Sequence, residues 1–430
     1  MKQNHLKKYT FLSLEIVCFI GLALLASNCN SRPDTLSHRA LKLGTLLPLT
    51  GDLSSYGTSM QDSASLLIET VNACGGVMGK PVKLVAADDQ SEPQVGAEAI
   101  AKLTEIDNVA GVIGGATSAT SAAAVDIAVL NQVVMISPSS TSPLFTERAI
   151  KGDFNGFWFR TAPPDTFQGP ILARLMQQKG YQTVSILAVN NDYGKGLVNA
   201  FIPAFEALNG KIFNKSNLSL YAPNAVTFNS EVFTAFENDP DAILLIDYSQ
   251  TGSLVIRSIY EQGLLNKAAL VLSDGFKDDE LAQNVGKTPG GQLILTTGAT
   301  ILGTSPSAKG VAYTAFRSLY QKAYPGREPV IYDANTWDSA AVLVLAAELA
   351  QSNQGGEIKE YIRTVSNPPG KKVTDVCVAL DAIRKGESIN YEGAGSNVGF
   401  DPQGDVQGNY DLWTIDNDGN IKIIDFIKGN

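Results

Sequence analysis

Two clusters of hydroxyl side chains each follow a short apolar run. Residues 109–113 end at Gly114-Gly115, and Thr117, Ser118, Thr120 and Ser121 come next. Residues 133–136 lead into Ser137, Ser139, Ser140, Thr141 and Ser142. Hydroxyls beside the free backbone N–H groups of a helix start bind an anion such as a carboxylate, because those N–H groups lack helical acceptors and the helix dipole adds positive potential. Ser and Thr also cap helices with no ligand involved, so the clusters by themselves leave both uses open. The chemistry they exclude is clearer. The only histidines are His5 and His38, both near the N-terminus, so Ser-His-Asp, Cys-His and His-metal sites are ruled out for the body of the chain. Carboxylate or lysine catalysis is not excluded by composition.

The elements around these clusters read as alternating strands and helices. Strands are expected at 41–47, 82–87, 109–113 and 133–136, with helices at about 60–73, 95–106 and 122–130. This rhythm predicts a parallel sheet with helices on both faces. Both polar turns then leave the same carboxyl edge, where ligands of open α/β sheets collect. The segment FWFRTAPPDTFQG breaks the rhythm, and residues 160–164 read as a crossing to a second lobe. There the pattern restarts, with strands at 184–189, 211–220, 242–246, 269–272 and 293–297. A return follows, with helices at about 309–323, 334–351, 356–364 and 377–385. A third crossing near 398–404 leads to a hairpin of 410–415 and 421–424. The expected division is 41–162 plus 298–400 for lobe 1 and 163–297 plus 401–430 for lobe 2. Three crossings allow a hinge around a cleft.

A chain of 430 residues exceeds the usual single-core size, which agrees with two lobes. The formal net charge is −10, and residues 1–28 hold only three of the 33 basic and one of the 43 acidic residues. The body is therefore the more acidic part, which argues against nucleic-acid binding. In residues 1–28, Lys2, Lys7 and Lys8 precede an apolar run at 11–26, the layout of an export signal. It ends at Ala26-Ser27-Asn28-Cys29, which is similar to a bacterial lipobox with Asn28 in the place usually held by Gly, Ala or Ser. Lipidation at Cys29, ordinary cleavage nearby and an uncleaved anchor all fit. Residues 29–40 read as a tether. Beyond Cys29 only Cys74 and Cys377 remain, and in an oxidising compartment they either form one disulfide or stay as thiols.

Three motif fragments fail on spacing. Gly286-Lys287-Thr288 lacks the earlier glycine of a phosphate loop, where Leu281 stands. Asp416, Asp418 and Asn420 open like a calcium loop, but its sixth and twelfth places are Ile421 and Ile427. Gly111, Gly114 and Gly115 lack the spacing of a dinucleotide fingerprint.

Other segments are informative by their order. LLPLTGDLSSYG (46–57), NACGGVMGKPVKLVAADDQSEP (72–93), VIGGATSATS (112–121), VVMISPSSTSP (133–143), FRTAPPDTFQGP (159–170), NDYGKG (191–196) and FDPQGDVQGNY (400–410) follow one another along the chain. Together they resemble the periplasmic substrate-binding proteins of branched-chain and neutral amino acid ABC transporters, the leucine/isoleucine/valine-binding type. The likeness runs from residue 41 to the C-terminus. It implies an α/β fold of two flavodoxin-like lobes, a type I periplasmic binding protein that closes like a Venus flytrap, joined by three crossover segments. It also implies an exported, periplasmic protein with no catalysis and no cofactor. The implied partners are a small amino acid ligand and an ABC permease, with membrane contact through a lipid at Cys29.

The resemblance also assigns residues. Ser118 matches the family serine that holds the ligand carboxylate. Thr141 matches a threonine that contacts carboxylate and ammonium, and the carbonyls of Ser139 and Ser140 match acceptors for the ammonium. Tyr56, Tyr193 and Tyr248 match aromatic positions around the ligand. Asp274 stands where the family places its ammonium-binding acid, often a glutamate in relatives. Asp is one methylene shorter, which alters reach and pocket size.

The physical logic holds beside the likeness: a zwitterion needs an anion site and a cation site a few ångströms apart. Ser118 and Thr141 would supply the first and Asp274 the second. The alternatives are a binding protein for urea, short amides or aromatic acids, and the ligand-sensing domain of a signalling receptor. A hydrolase is disfavoured by the missing histidines.

Overall fold

Strands buried on both faces need parallel neighbours and helical cover, and this chain builds two such sheets. The structure is a computed structural model that describes residues 40–395 and 397–429. The export segment 1–28, Cys29 and the tether as far as residue 39 lie outside the described residues.

The first sheet contains β1 (Lys42–Leu47), β2 (Lys83–Asp88), β3 (Gly111–Gly114), β4 (Val134–Ser137) and β5 (Trp158–Arg160) in the order β2-β1-β3-β4-β5. All four pairings are parallel. β3 and β4 are buried throughout, which is why they read as plain apolar runs and do not alternate.

The second sheet gathers β6 (Thr183–Val189), β7 (Lys211–Ile212), β8 (Ser219–Tyr221), β9 (Ala242–Ile246), β10 (Ala269–Leu272) and β11 (Ile301–Pro306). The short strands β12 (Lys371–Val373) and β13 (Ile389–Tyr391) pair only with each other. β14 (Tyr410–Ile415) and β15 (Ile421–Ile427) then close the second sheet as an antiparallel hairpin beside β11. Asp416 Oδ1 accepts from the N–H groups of Asp418 and Asn420 in that hairpin turn, the use expected in place of a calcium loop.

Six helices frame the region between the sheets: α1 (Ser54–Ala73), α2 (Ser118–Leu130), α3 (Asp165–Gln178), α4 (Asp192–Ala207), α5 (Ser249–Glu261) and α6 (Asp333–Ala350). α6 is buried along almost its whole length and packs with α1 in the core of the first half. Its uniform burial explains why its sequence shows no amphipathic stripe. No described helix is long and apolar enough to cross a membrane.

Three expectations need correction. The strand expected at 211–220 is two short strands, because the Asn214 side chain inserts between them. Its Oδ1 accepts from Ile186 N–H at 2.9 Å and its Nδ2 donates to Ile186 O at 2.7 Å, taking the place of backbone pairing with β6. Residues expected as a strand at 293–297 form a 3-10 turn, Ile294–Thr296. There Thr296 and Thr297 hydroxyls donate to the carbonyls three residues back. The last parallel strand is instead β11, so the chain stays in the second sheet through Pro306, beyond the return expected at 298.

Cys74, at the end of α1, and Cys377, in the helix Val376–Arg384, are joined by a disulfide with Cα atoms 5.8 Å apart. It links the two helices at the end of α1 remote from Tyr56.

Candidate functional site

The two hydroxyl clusters divide into caps and cleft residues. Thr117 caps α2 by accepting from Thr120 N–H at 3.0 Å. Ser121, Ser137 and Ser140 all donate to the Gly115 carbonyl, which ties the two polar turns together behind the cleft. Ser142 caps the next helix at Leu144. Ser118, Ser139, Ala116 and Thr117 line the cleft itself. Ser118 Oγ accepts from Ser142 N–H at 3.2 Å, which leaves its O–H free to donate. With the first backbone N–H groups of α2, this is a donor set suited to a carboxylate.

Ser140 does not reach the cleft. Its side chain is turned inward to Ser121 at 2.7 Å and its carbonyl accepts from Arg160 at 3.1 Å. Thr141 is buried just behind the lining, with its Oγ1 unpartnered.

One acid of the lining, Asp274, comes from the second sheet. β10 ends at Ser273, and Asp274 follows in a 3-10 turn at the carboxyl edge of the second sheet. Its carboxyl is 3% exposed and receives Tyr193 OH on Oδ1 at 2.7 Å and Tyr332 OH on Oδ2. Burial raises its pKa, and the Tyr332 and Tyr193 hydrogen bonds offset part of that rise.

A second acid, Asp165, opens α3. It is fully buried, both its oxygens lack hydrogen-bond partners, and its N–H donates to Thr141 O at 2.9 Å. Burial pushes this carboxyl well above the ordinary range, with Asp274 adding to the effect and the adjacent Thr141 hydroxyl and Arg160 opposing it. Arg160 does not neutralise the pair. Its guanidinium is committed to Asp405 at 2.6 Å and to the Ser142 carbonyl at 2.8 Å. Asp274 is the acid of the cleft lining, which holds no basic side chain, so it has an affinity for positive charge.

Tyrosines make the walls. Tyr193 and Tyr248 stack with centroids 5.3 Å apart, and Tyr56 and Tyr332 face them. Leu53, Met60 and Ile331 supply the apolar side of the cleft. Contacts between the two halves run directly across it. Tyr56 OH donates to Gly275 O and Thr251 Oγ1 to Asp52 Oδ2, each at a long 3.4 Å, and Tyr332 reaches Asp274.

Of the residues proposed from sequence, the structure brings Tyr56, Ser118, Ser139, Tyr193, Tyr248 and Asp274 into one lining and leaves Ser140 and Thr141 behind it. Tyr332, in the lining, and Asp165, buried behind it, were not singled out from sequence. Asp165 sits in the FRTAPPDTFQGP segment but reads as an ordinary helix-opening acid. Tyr332 immediately precedes α6 with φ +70°, a conformation that nothing about a tyrosine codon announces.

Comparisons with known proteins agree with this geometry. The profile described as "Receptor family ligand binding region" matches residues 59–418. The chain is 27% identical to the chemotactic signal transduction system substrate-binding protein BasB of Halobacterium salinarum, over 83% of this chain and 82% of that one. It is also 27% identical to the Leu/Ile/Val-binding protein BraC3 of Rhizobium johnstonii, over 75% of this chain and 83% of that one. Among solved structures, the leucine binding protein LivK of Thermotoga maritima superposes with a TM-score of 0.74 at 26% identity, covering 90% of this chain and 99% of that one.

Proposed function

This chain belongs to the family of receptor ligand-binding regions, and from that premise we propose that it captures a neutral or branched-chain α-amino acid between its lobes and delivers it to an ABC permease. At the coarser level it is a binding protein of the ABC-transporter type, not an enzyme. The observation that carries the finer reading is a single cleft with two kinds of end. One end offers the N–H groups of α2 with the Ser118 hydroxyl. The other offers Asp274, buried and with no basic side chain in the lining.

A zwitterion satisfies both ends at once. Its carboxylate takes the helix-start donors, and its ammonium supplies the positive charge that Asp274 lacks. Each charged hydrogen bond made there is worth roughly 1.5–3 kcal/mol. The side chain then lies against Leu53, Met60 and Ile331. Closure follows from ligand contacts on both halves, since a ligand shifts an open–closed equilibrium by its differential affinity for the two states. On this reading the leader 1–28 exports the protein to the periplasm and Cys29 anchors it by a lipid. A thermal-shift screen of the twenty amino acids with urea, short amides and benzoate tests the ligand class. Neutral amino acids should raise the melting temperature. Stabilisation by benzoate or urea alone would overturn the assignment.

A second reading, a ligand-sensing component of a signalling system, is supported by the likeness to the chemotactic relative. It uses the same cleft and differs in the partner that reads closure.

A further inference from the structure

The outermost strand of the second sheet is β15, paired on one side with β14 and open on the other. Its residues 422–426 are all exposed, and three of them are large and apolar: Ile423 is 41% exposed, Ile424 43% and Phe426 38%. Phe426 keeps that exposure with the Lys309 ammonium 4.5 Å over its ring. Among the described residues, the other outer strands of the two large sheets, β2, β5, β7 and β8, carry no exposed large apolar side chain. An open edge presents unpaired backbone N–H and C=O groups, and apolar side chains beside them favour cover by another strand. We propose that β15 is an interface for a second copy of this chain, the two strands pairing antiparallel across a two-fold axis so that one sheet continues through both copies.

The charges on the strand select this occupant. Lys422 and Asp425 are of opposite sign and equally far from the point between Ile423 and Ile424. In a two-fold antiparallel pair every contact occurs twice, so a register centred on that point sets each Lys422 opposite Asp425 of the second copy. It also sets Ile421 opposite Phe426 of the second copy and brings Ile423 and Ile424 together at the axis. Neither charge is matched within one chain. Among the described residues neither enters an ion pair, and Asp425 Oδ1 accepts only from the N–H of Phe426, at 2.7 Å.

A regular strand could not use this register, because residues three apart point to opposite faces. β15 is not regular. Its pairing with β14 shifts between Leu412 and Trp413, which leaves Ile424 as the extra residue of a bulge. Lys422 pairs with Thr414 and Asp425 with Leu412, two residues apart on β14, so the two charges share one face. Ile421, Ile423 and Phe426 pair with Ile415, Trp413 and Asp411 and share the other face. The bulge therefore makes the strand complementary to itself, with charge against opposite charge on one face and apolar against apolar on the other. A pairing of 7 residues buries less than the roughly 1,200 Å² of a standard stable interface, so the dimer is weak and depends on concentration.

Sedimentation velocity of the mature chain over a wide range of concentration tests this. The sedimentation coefficient should rise from monomer to dimer as concentration increases. Lys422→Asp places like charges opposite each other twice and should weaken the dimer about tenfold or more. Asp425→Lys should do the same. The double exchange Lys422→Asp with Asp425→Lys should restore the dimer, which a folding defect would not allow. A monomer at every concentration overturns the second copy as occupant and leaves the edge to a strand of another protein. A dimer unchanged by Lys422→Asp, or not restored by the double exchange, overturns the proposed pairing.

Discussion

Gly196, on α4 of the second half, packs against Ser142 of the first so closely that a Cβ on the glycine would stand 2.7 Å from Ser142 Oγ and 2.9 Å from Pro143 Cδ. The absence of a side chain at this one position lets the two halves meet beside the cleft. Gly196→Ala should leave each half folded and penalise the closed arrangement. Overpacking costs about 1–3 kcal/mol, so ligand affinity should fall roughly 5- to 150-fold. Titration calorimetry gives the affinity, and small-angle scattering with saturating ligand should report a more open particle. Unchanged affinity would show that the halves meet differently in the bound state.

The acids of the cleft predict a ligand-selective defect. Asp274→Ala removes the acceptor of Tyr193 and Tyr332 and a charge from the cation end. Affinity for an α-amino acid should drop about 10- to 150-fold, the equivalent of one charged hydrogen bond. Binding of a neutral amide without an ammonium group should be spared. Retention of leucine, alanine and proline binding in this variant would refute the ammonium assignment.

Buried carboxyls also set a pH dependence. Burial raises Asp333 to about 7, with the Ser59 and Val330 hydrogen bonds offsetting part of the effect. Asp89 and Asp247 are likewise raised to about 7 by burial. An acid with a higher pKa in the folded state contributes its full stability below the unfolded value, about 4. It loses about 1.4 kcal/mol per pH unit as the pH rises toward the folded value. The melting temperature should therefore fall between pH 5 and 7, and it should fall less in Asp333→Asn. Parallel melting curves for wild type and variant across that window would rule out Asp333 as a contributor.

The disulfide should matter for stability and not for binding. It spans 303 residues of chain, and removing a native bridge costs about 2–5 kcal/mol. Cys74 follows Tyr56 by most of the length of α1, roughly 27 Å at 1.5 Å per residue. Cys377→Ser should lower the denaturation midpoint while ligand affinity stays within about twofold. A large affinity loss would mean that the bridge helps position the cleft.

Much of the architecture was legible in the residues. Short apolar runs ending in Gly, Ser or Asp marked β3, β4, β9 and β10, because strands buried on both faces must be apolar throughout. The polar turns after β3 and β4 could be placed on one sheet edge, because parallel pairing leaves no other arrangement. The count of two histidines alone removed most catalytic chemistries.

Tertiary structure decided which of those polar residues face a ligand. Ser118 and Ser140 look alike in sequence, yet one lines the cleft and the other ties two turns together, because only the packing of α2 against β4 fixes which way each hydroxyl points. Tyr332 became a candidate only when α6 returned to the first half beside Asp274. Local sequence specifies where a strand stops and a helix starts. The charge and shape of a cleft depend on residues as far apart as Tyr56, Ser118, Asp274 and Tyr332, and only the long-range packing of the two sheets brings these together.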